Sequence, residues 1–447
     1  MAGLLSLLLN AFRPANAQIK APTDAQIKER LANMVGDKKK PPGVVVGLID
    51  SEGSRIIASG KFEPASDKLV DADTLFEIGS ITKVFTAVTL QEMVDRGELN
   101  LEDPIGKYLP PSVKTPTRNG KEITLLDLAT QSSGLPRLPD NMPPTAIVSS
   151  NPYRDYGPEQ LYQFLSSYKL ERDIGAKYEY SNLGFGLLGH ILALRAGTNY
   201  EALVLDRICK PLQLTSTRIS LSPELKARLA PGHDATGKKN SNWDFQAMAG
   251  AGALRSSAND MLKFLAASMG SSRTPLNVTL AKSQQPRRDA GAGRKIGLAW
   301  HINTDGAVWH NGGTGGYRSF LGFNKKTNRG VVVLANSAGA DTDGFGLSIL
   351  GPSRTHTATT VSASIFEQYI GKYELAPGAV FTITREGDHL FAQLTGQPKF
   401  EVFPESESDF FYKIVDAQLT FHKDAAGKVT HLVLHQSGAD QPAVRQK

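Results

Sequence analysis

The chain has 447 residues, 40% of them hydrophobic and 21% charged, with a formal net charge of +6. That is room for two or three domains around a large core, and no apolar run is long enough to cross a membrane. The basic residues are scattered rather than gathered into a stripe, which argues against a nucleic-acid partner, and a single cysteine, Cys209, excludes an internal disulfide and a cysteine-based zinc cluster.

From the N-terminus, Leu4 to Leu9 is a short apolar run, and Ala15-Asn16-Ala17 is a small-x-small site before Gln18. Residues 1–17 therefore read as a signal peptide, which predicts a periplasmic or secreted protein. DKKKPP (37–42) reads as a solvated loop. VVVGLID (44–50), the turn residues SEGS and RIIASGKF (55–62) read as a β-hairpin.

FEIGSITKVFTA (76–87) places a serine, Ser80, and a lysine, Lys83, three apart where a loop becomes a helix. That spacing puts both side chains on one helix face. From Ile81 onward the helix is apolar on most sides, and it stops at Arg96-Gly97, so it should be buried. A buried ammonium must be paired or lose its proton. On local sequence alone, Ser80 is either a nucleophile or a helix cap, and Lys83 either serves it or snorkels to water. A second S-x-x-K, Ser166 to Lys169, lies in a polar run and reads as a solvated face.

Residues 98 to 290 are punctuated by proline and glycine and hold helical stretches such as LGFGLLGHILALRA and SSANDMLKFLAASM. Tyr180-Ser181-Asn182 precedes the first of these, with Ser181 or Asn182 as the cap. Gly184, Gly186 and Gly189 match G-x-G-x-x-G, but no strand precedes them, so they are read as helix-packing positions rather than a dinucleotide site. Strand patterns return as IGLAWHIN, AVWH, YRSFLGF and RGVVVLAN. Between two of them, WHNGGTGGYRSF (309–320) is glycine-rich. Bare glycines on an edge strand let a substrate backbone approach and offer a free N–H to an oxyanion, and His310 should face the same cleft. Residues 343 to 350 close this unit as a short helix. GPSRTHTATTVSAS (351–364) reads as a linker, and the short alternating strands beyond it predict a small all-β domain. His431 and His435 share a strand face there, without further ligands at metal spacing. GxSxG occurs nowhere, so a Ser–His–Asp site has no anchor.

Three stretches, in order, are Ser80-Ile81-Thr82-Lys83, Tyr180-Ser181-Asn182 and His310-Asn311-Gly312. With FEIGSITK, DRGELNLEDPIGKYLP, ITLLDLATQSSGLP and GGTGGY around them, they resemble the penicillin-recognising serine hydrolases, and within these the class C β-lactamases and their relatives. The resemblance covers residues 40 to 350. It implies an α/β fold of the β-lactamase/transpeptidase type, an antiparallel sheet flanked by helices with an inserted α subdomain. The domains expected are then a hydrolase over 18–350, the linker, and an all-β domain over 365–447 that resembles the lipocalin-like appendage of some of these hydrolases.

The resemblance also implies roles. Ser80 becomes the nucleophile, Lys83 its partner and Tyr180 the general base. A free phenol has a pKa near 10, so three units of depression by nearby cations would take about 4 kcal/mol. Asn182 would orient Lys83 and hold a substrate amide. The backbone N–H groups of Ser80 and Gly313 would form the oxyanion hole, on a substrate-binding strand carrying His310, Asn311 and Gly312. No cofactor or metal is implied. The substrate would be a β-lactam or a D-amino-acid peptide of the cell wall, with a carboxylesterase or a penicillin-binding sensor as alternatives. Two departures stand out. His310 replaces the lysine of K-T-G, and SAGADTDG after Asn336 carries Asp341 and Asp343 where class C enzymes commonly hold a carboxylate-binding arginine. Both predict weaker or pH-dependent binding of a substrate carboxylate.

Overall fold

The computed structural model describes residues 22–35, 42–143, 150–291, 293–351, 358–397, 399–412, 417–436 and 439–446. The segment expected to be a signal peptide lies outside the described residues, as does most of the lysine-rich loop.

The hairpin forms as the two strand-like runs and the SEGS turn predict: β1 (Gly43–Asp50) and β2 (Gly53–Gly60) pair antiparallel, and Gly53 takes φ +105° at the turn. The chain then leaves the sheet and returns as β3 (Arg288–Asp289), β4 (Lys295–Ile296), β5 (His301–Ile302), β6 (Ala307–Gly313), β7 (Arg318–Asn324) and β8 (Arg329–Ala335). These make one eight-stranded sheet in the order β2-β1-β8-β7-β6-β5-β4-β3, with every ladder antiparallel. IGLAWHIN reads as one strand, yet it folds into two with a turn between. Ala299 takes φ +65° there, and the Gly297 N–H donates to Trp300 O at 2.8 Å. The turn drives Leu298 and Trp300 into the core, so their burial does not signal a continuous strand.

Both faces of the sheet are covered. Val44, Val46 and Leu48 of β1 pack with α1 (Asp24–Met34) and, later in the chain, Thr342–Leu350. Val45 and Ile49 face the other way, into the larger core with the inserted helices. A strand buried on both sides gains from apolar residues at every position, which is why VVVGLI reads as an unbroken run.

The helix after Ser80, α2 (Thr82–Asp95), is buried from Thr82 to Met93. Its Phe85 stacks on Phe264 at 4.3 Å between centroids, Thr86 donates to Gly250 O at 2.8 Å and Thr89 to Phe85 O at 2.9 Å, while Gln91 Oε1 is buried without a partner among the described residues. α3 (Asn182–Ala196) is capped by Ser181, whose side chain accepts from the Gly184 N–H, and ends at left-handed Gly197. The packing reading of its glycines holds: a Cβ on Gly189 would lie 2.7 Å from Gly250 Cα. That close approach brings the turn Ala249–Gly252 against α2 and α3 together. α4 (Ala258–Met269) and α5 (Thr342–Leu350) complete the flanking helices.

Beyond residue 358, α6 (Ala363–Tyr369) leads into eight strands: β9 (Gly371–Ala376), β10 (Ala379–Glu386), β11 (His389–Leu394), β12 (Phe400–Pro404), β13 (Asp409–Tyr412), β14 (Ala417–Lys423), β15 (Val429–Gln436) and β16 (Ala439–Arg445). They close into an up-and-down barrel in chain order, β16 pairing back to β9 through Tyr373 with Arg445. This is the lipocalin-like architecture expected. Tyr369 stacks on Phe421 at 4.0 Å, inside a core that includes Phe381, Phe410 and Leu432. His431 stacks on His422, while His435 bonds Asp440 and Thr420. Among the described residues no cluster of three metal-ligating side chains forms, and no helix is long and apolar enough to cross a membrane.

Candidate active site

Ser80 sits in a single tight turn, Gly79–Ile81, that runs directly into α2. First-turn N–H groups have no intrahelical acceptor, so the Ser80 N–H is free to serve a negative charge. Gly79 makes the turn possible. It takes φ +49°, and a Cβ there would lie 2.7 Å from Gly313 N. No other residue lets the Ser80 turn and the end of β6 come so close.

Lys83 lies one helical step below Ser80 and is fully buried. Its Nζ is 2.9 Å from Ser80 Oγ, 2.9 Å from Asn182 Oδ1 and 2.7 Å from Ala251 O. Burial drives its pKa well below the ordinary lysine value, and the charge of Arg137 adds to that. A neutral amine has two N–H donors and one lone pair. Asn182 Oδ1 and Ala251 O can only accept, so they take the two donors. In the neutral form that burial favours, the third contact, to Ser80 Oγ, is the one left for the lone pair.

Tyr180 lies beside this pair, its ring centroid 4.9 Å from Lys83 Nζ. Burial pushes its phenol far above the usual tyrosine range, offset in part by a hydrogen bond with Ser80. Burial thus favours the phenol and the amine over the phenolate and ammonium expected. The two forms hold the same number of protons and differ only in where one proton sits.

Asn182, first residue of α3, accepts from Lys83 and donates from Nδ2 to Tyr153 Oη at 3.1 Å. Its orienting contact with Lys83 is present, but Tyr153 takes the amide donor expected to face substrate. His310 also differs from expectation. It is 1% exposed and does not line the cleft; its ring lies behind Tyr180, centroid 6.3 Å away, and next to His301 at 5.1 Å. Its Nδ1–H donates to Asn311 O at 2.6 Å. Burial, with His301 and Lys83 nearby, holds it far below the ordinary histidine value. His310 is neutral and brings no cation to Tyr180 or to substrate.

The edge of β6 is open where the cleft needs it. β5 pairs only as far as Trp309, and the Thr314 N–H donates to Tyr317 O at 3.1 Å to close the β6–β7 turn. Ladder bonds alternate along an antiparallel strand. Gly312 therefore bonds toward β7, and the backbone groups of Asn311 and Gly313 point to the free edge beside Ser80.

The cleft so formed has a volume of about 620 Å³. Ser80, Tyr180, Asn182, Asn311, Gly312 and Gly313 all line it, as sequence reasoning places them. It also takes Arg137, Tyr153, Trp243, His301, Arg318 and the two aspartates, Asp341 and Asp343. The first five were not singled out from sequence. Tyr153 and Trp243 come from irregular loops without periodicity. Arg137 directly follows the matching stretch ITLLDLATQSSGLP, the one signal that could have found it. Asp343 accepts from Asn311 Nδ2 at 2.5 Å. Ser166 and Lys169, the second S-x-x-K pair, are exposed.

The Beta-lactamase family model matches residues 24–350, and a domain of unknown function (DUF3471) matches residues 355–445. The chain is 27% identical over 332 residues to a D-alanyl-D-alanine-carboxypeptidase/endopeptidase, AmpH, of Escherichia coli (strain K12), covering 69% of this chain and 83% of that one. It is 24% identical over 461 residues to a penicillin-binding protein of Bacillus subtilis (strain 168), covering 94% and 98% of the two chains. Among solved structures, a class C β-lactamase from Rhodobacter sphaeroides superposes with TM-score 0.59 at 25% identity, over 68% of this chain and 91% of that one. A β-lactamase/D-alanine carboxypeptidase from Yersinia pestis shares the fold with TM-score 0.63 at 24% identity, over 72% and 98%.

Proposed function

The chain belongs to the Beta-lactamase family, and from that we propose a serine hydrolase that forms an acyl-enzyme at Ser80 and cleaves an amide, either of a β-lactam or of a D-amino-acid peptide from the cell wall. The observation that carries this reading is the buried Lys83 Nζ, held by Asn182 Oδ1 and Ala251 O and 2.9 Å from Ser80 Oγ.

The cycle follows from the resting proton positions. Ser80 Oγ attacks the carbonyl carbon while its proton passes to Lys83. The oxyanion forms against the N–H groups of Ser80 and Gly313, where one donor is typically worth about 10²–10³ in rate. Tyr180 gives its proton to the leaving nitrogen as the C–N bond breaks. The site then holds an ammonium and a phenolate side by side. The phenolate takes a proton from water, the resulting hydroxide attacks the ester carbon, and the departing Ser80 oxygen recovers its proton from Lys83. Tyr180 is thus acid in acylation and base in deacylation, and no cofactor enters.

A carboxylesterase is the second reading. It is favoured by the neutral His310 and by Asp341 and Asp343 on the cleft wall, since an ester without a carboxylate needs no cation. We also assign residues 1–17 to an export signal with a periplasmic or secreted product, 18–350 to the hydrolase, 351–364 to a linker and 365–447 to the barrel domain.

An intact-mass time course with excess benzylpenicillin, from seconds to hours, tests the reading. Unmodified protein beside hydrolysed drug marks a β-lactamase. A lasting gain of one drug mass, absent in Ser80→Ala, marks a slow-deacylating peptidase or sensor. Unmodified protein beside intact drug removes β-lactams and leaves the esterase or D-peptide readings.

A further inference from the structure

The neutral His310 leaves a question: which group receives a substrate carboxylate? Two arginines line the cleft, Arg137 and Arg318. Arg318 donates to Thr314 O and Tyr317 O, at 3.3 and 3.2 Å, and its charge faces Asp343. Arg137 differs on both counts. Its guanidinium has no ion pair and no hydrogen-bond partner among the described residues, and it is exposed to the cleft. It stands over the Tyr180 ring, Cζ 5.1 Å from the centroid. Its backbone is fixed, because Arg137 O accepts from the N–H groups of Asn182 and Leu183 at 3.0 and 3.2 Å. A firm base at the start of α3 thus carries an uncommitted cation.

The position matters because of what happens at Tyr180. The leaving group takes its proton there, so the leaving half of the substrate must lie beside that phenol and beneath Arg137. In a peptide ending in a free amino acid, the carboxylate is one carbon from the leaving nitrogen. An unpaired guanidinium over the proton donor is then within reach of it, and a guanidinium binds a carboxylate through two parallel N–H donors. We propose that Arg137 is the carboxylate-recognising residue of this cleft and selects substrates whose leaving group carries a free carboxylate. The proposal rests on the acyl-transfer reading of Ser80 given above.

Two esters of one N-acyl-D-alanine separate these claims: the glycolate ester, whose leaving group carries a carboxylate, and the neutral methyl ester. Both deposit the same acyl group on Ser80, so deacylation is common to both and any difference arises in acylation. Hydrogen bonds to a charged group are worth roughly 10- to 100-fold in binding. The wild-type protein should prefer the glycolate ester in kcat/KM. That preference should shrink by about 10- to 100-fold in Arg137→Gln and be partly restored in Arg137→Lys, which keeps the charge but not the fork. A ratio that stays constant while both rates fall would make Arg137 a structural support for Tyr180 and overturn the proposal. A ratio that survives in Arg137→Gln but collapses in Arg318→Gln overturns it too, in favour of Arg318. If the wild-type protein opens neither ester and Ser80 stays unmodified by mass, the acyl-transfer reading itself falls.

Discussion

Replacing Lys83 by Met tests who takes the serine proton. The side chain keeps its length and apolar stem, so the core around α2 stays filled. What is lost is one nitrogen with three neighbours within 2.9 Å. Two acceptors, the buried Ala251 O and the part-buried Asn182 Oδ1, lose their donor, at about 1–3 kcal/mol each. Against that, a fully buried amine disappears, and with it a desolvation cost of the same order. The two offset, so the melting temperature should move by only a few degrees, at about 1–2 °C per kcal/mol for a domain of this size. The rate has no such compensation. Loss of a positioned base costs typically 10²–10⁴. Single-turnover acylation by p-nitrophenyl acetate, followed by stopped flow, reads that step alone. A Lys83→Met protein that folds and acylates within tenfold of wild type would refute Lys83 as the base.

Tyr180→Phe should behave differently. With p-nitrophenyl acetate, whose leaving group needs no proton, the first burst should survive, while deacylation slows by about 10²–10⁴ and acyl-enzyme accumulates by mass; steady turnover at the wild-type rate would remove Tyr180 from the deacylation step. Gly79→Ala puts a methyl group against Gly313 N at a φ of +49°. It should cut kcat by about 10²–10³, the worth of one oxyanion donor, with KM little changed; a wild-type kcat would show that the turn can relax elsewhere. His301 is buried and pushed down to about 4, so it is neutral when folded and takes a proton more readily when unfolded. Its contribution to stability is complete above pH 6.5 and is lost as the pH falls toward 4, a loss on the order of 3 kcal/mol. His301→Gln should therefore lose less melting temperature between pH 7.5 and 4.5 than the wild type; an equal loss in both would show that His301 does not carry it.

What could be read from sequence is what obeys local rules. The hairpin follows from two strand-like runs around the SEGS turn residues, α2 from its apolar period and its Arg96-Gly97 stop, and the three glycines of α3 from the absence of a preceding strand. The site residues could be placed because each lies on a regular element: Ser80 and Lys83 at the start of one helix, Asn182 at the start of another, Gly312 and Gly313 at the end of a strand. Other features depend on distant neighbours. Strands β3 to β5 are two residues each and too short to show a period. Barrel closure depends on pairing residues 373 and 445, which nothing local announces. The burial of His310 belongs to a packing with Tyr180 and His301 from distant parts of the chain, and its pKa falls with that burial. Arg137 sits in a loop whose partner, Tyr180, is 43 residues away in the chain.

The open edge of β6 has a cost that the protein contains by geometry. An unpaired strand edge is a template on which another chain can add, and so a seed for aggregation. Here β5 covers the strand up to Trp309, and the Gly79–Ile81 turn stands against its end at Gly313. The free stretch is His310 to Gly313, roughly 13 Å at 3.3 Å per residue. That admits a few units of extended backbone and is too short to nucleate a stable strand from a neighbouring molecule, so the turn that presents the serine also keeps the edge from becoming a meeting place between copies of the protein.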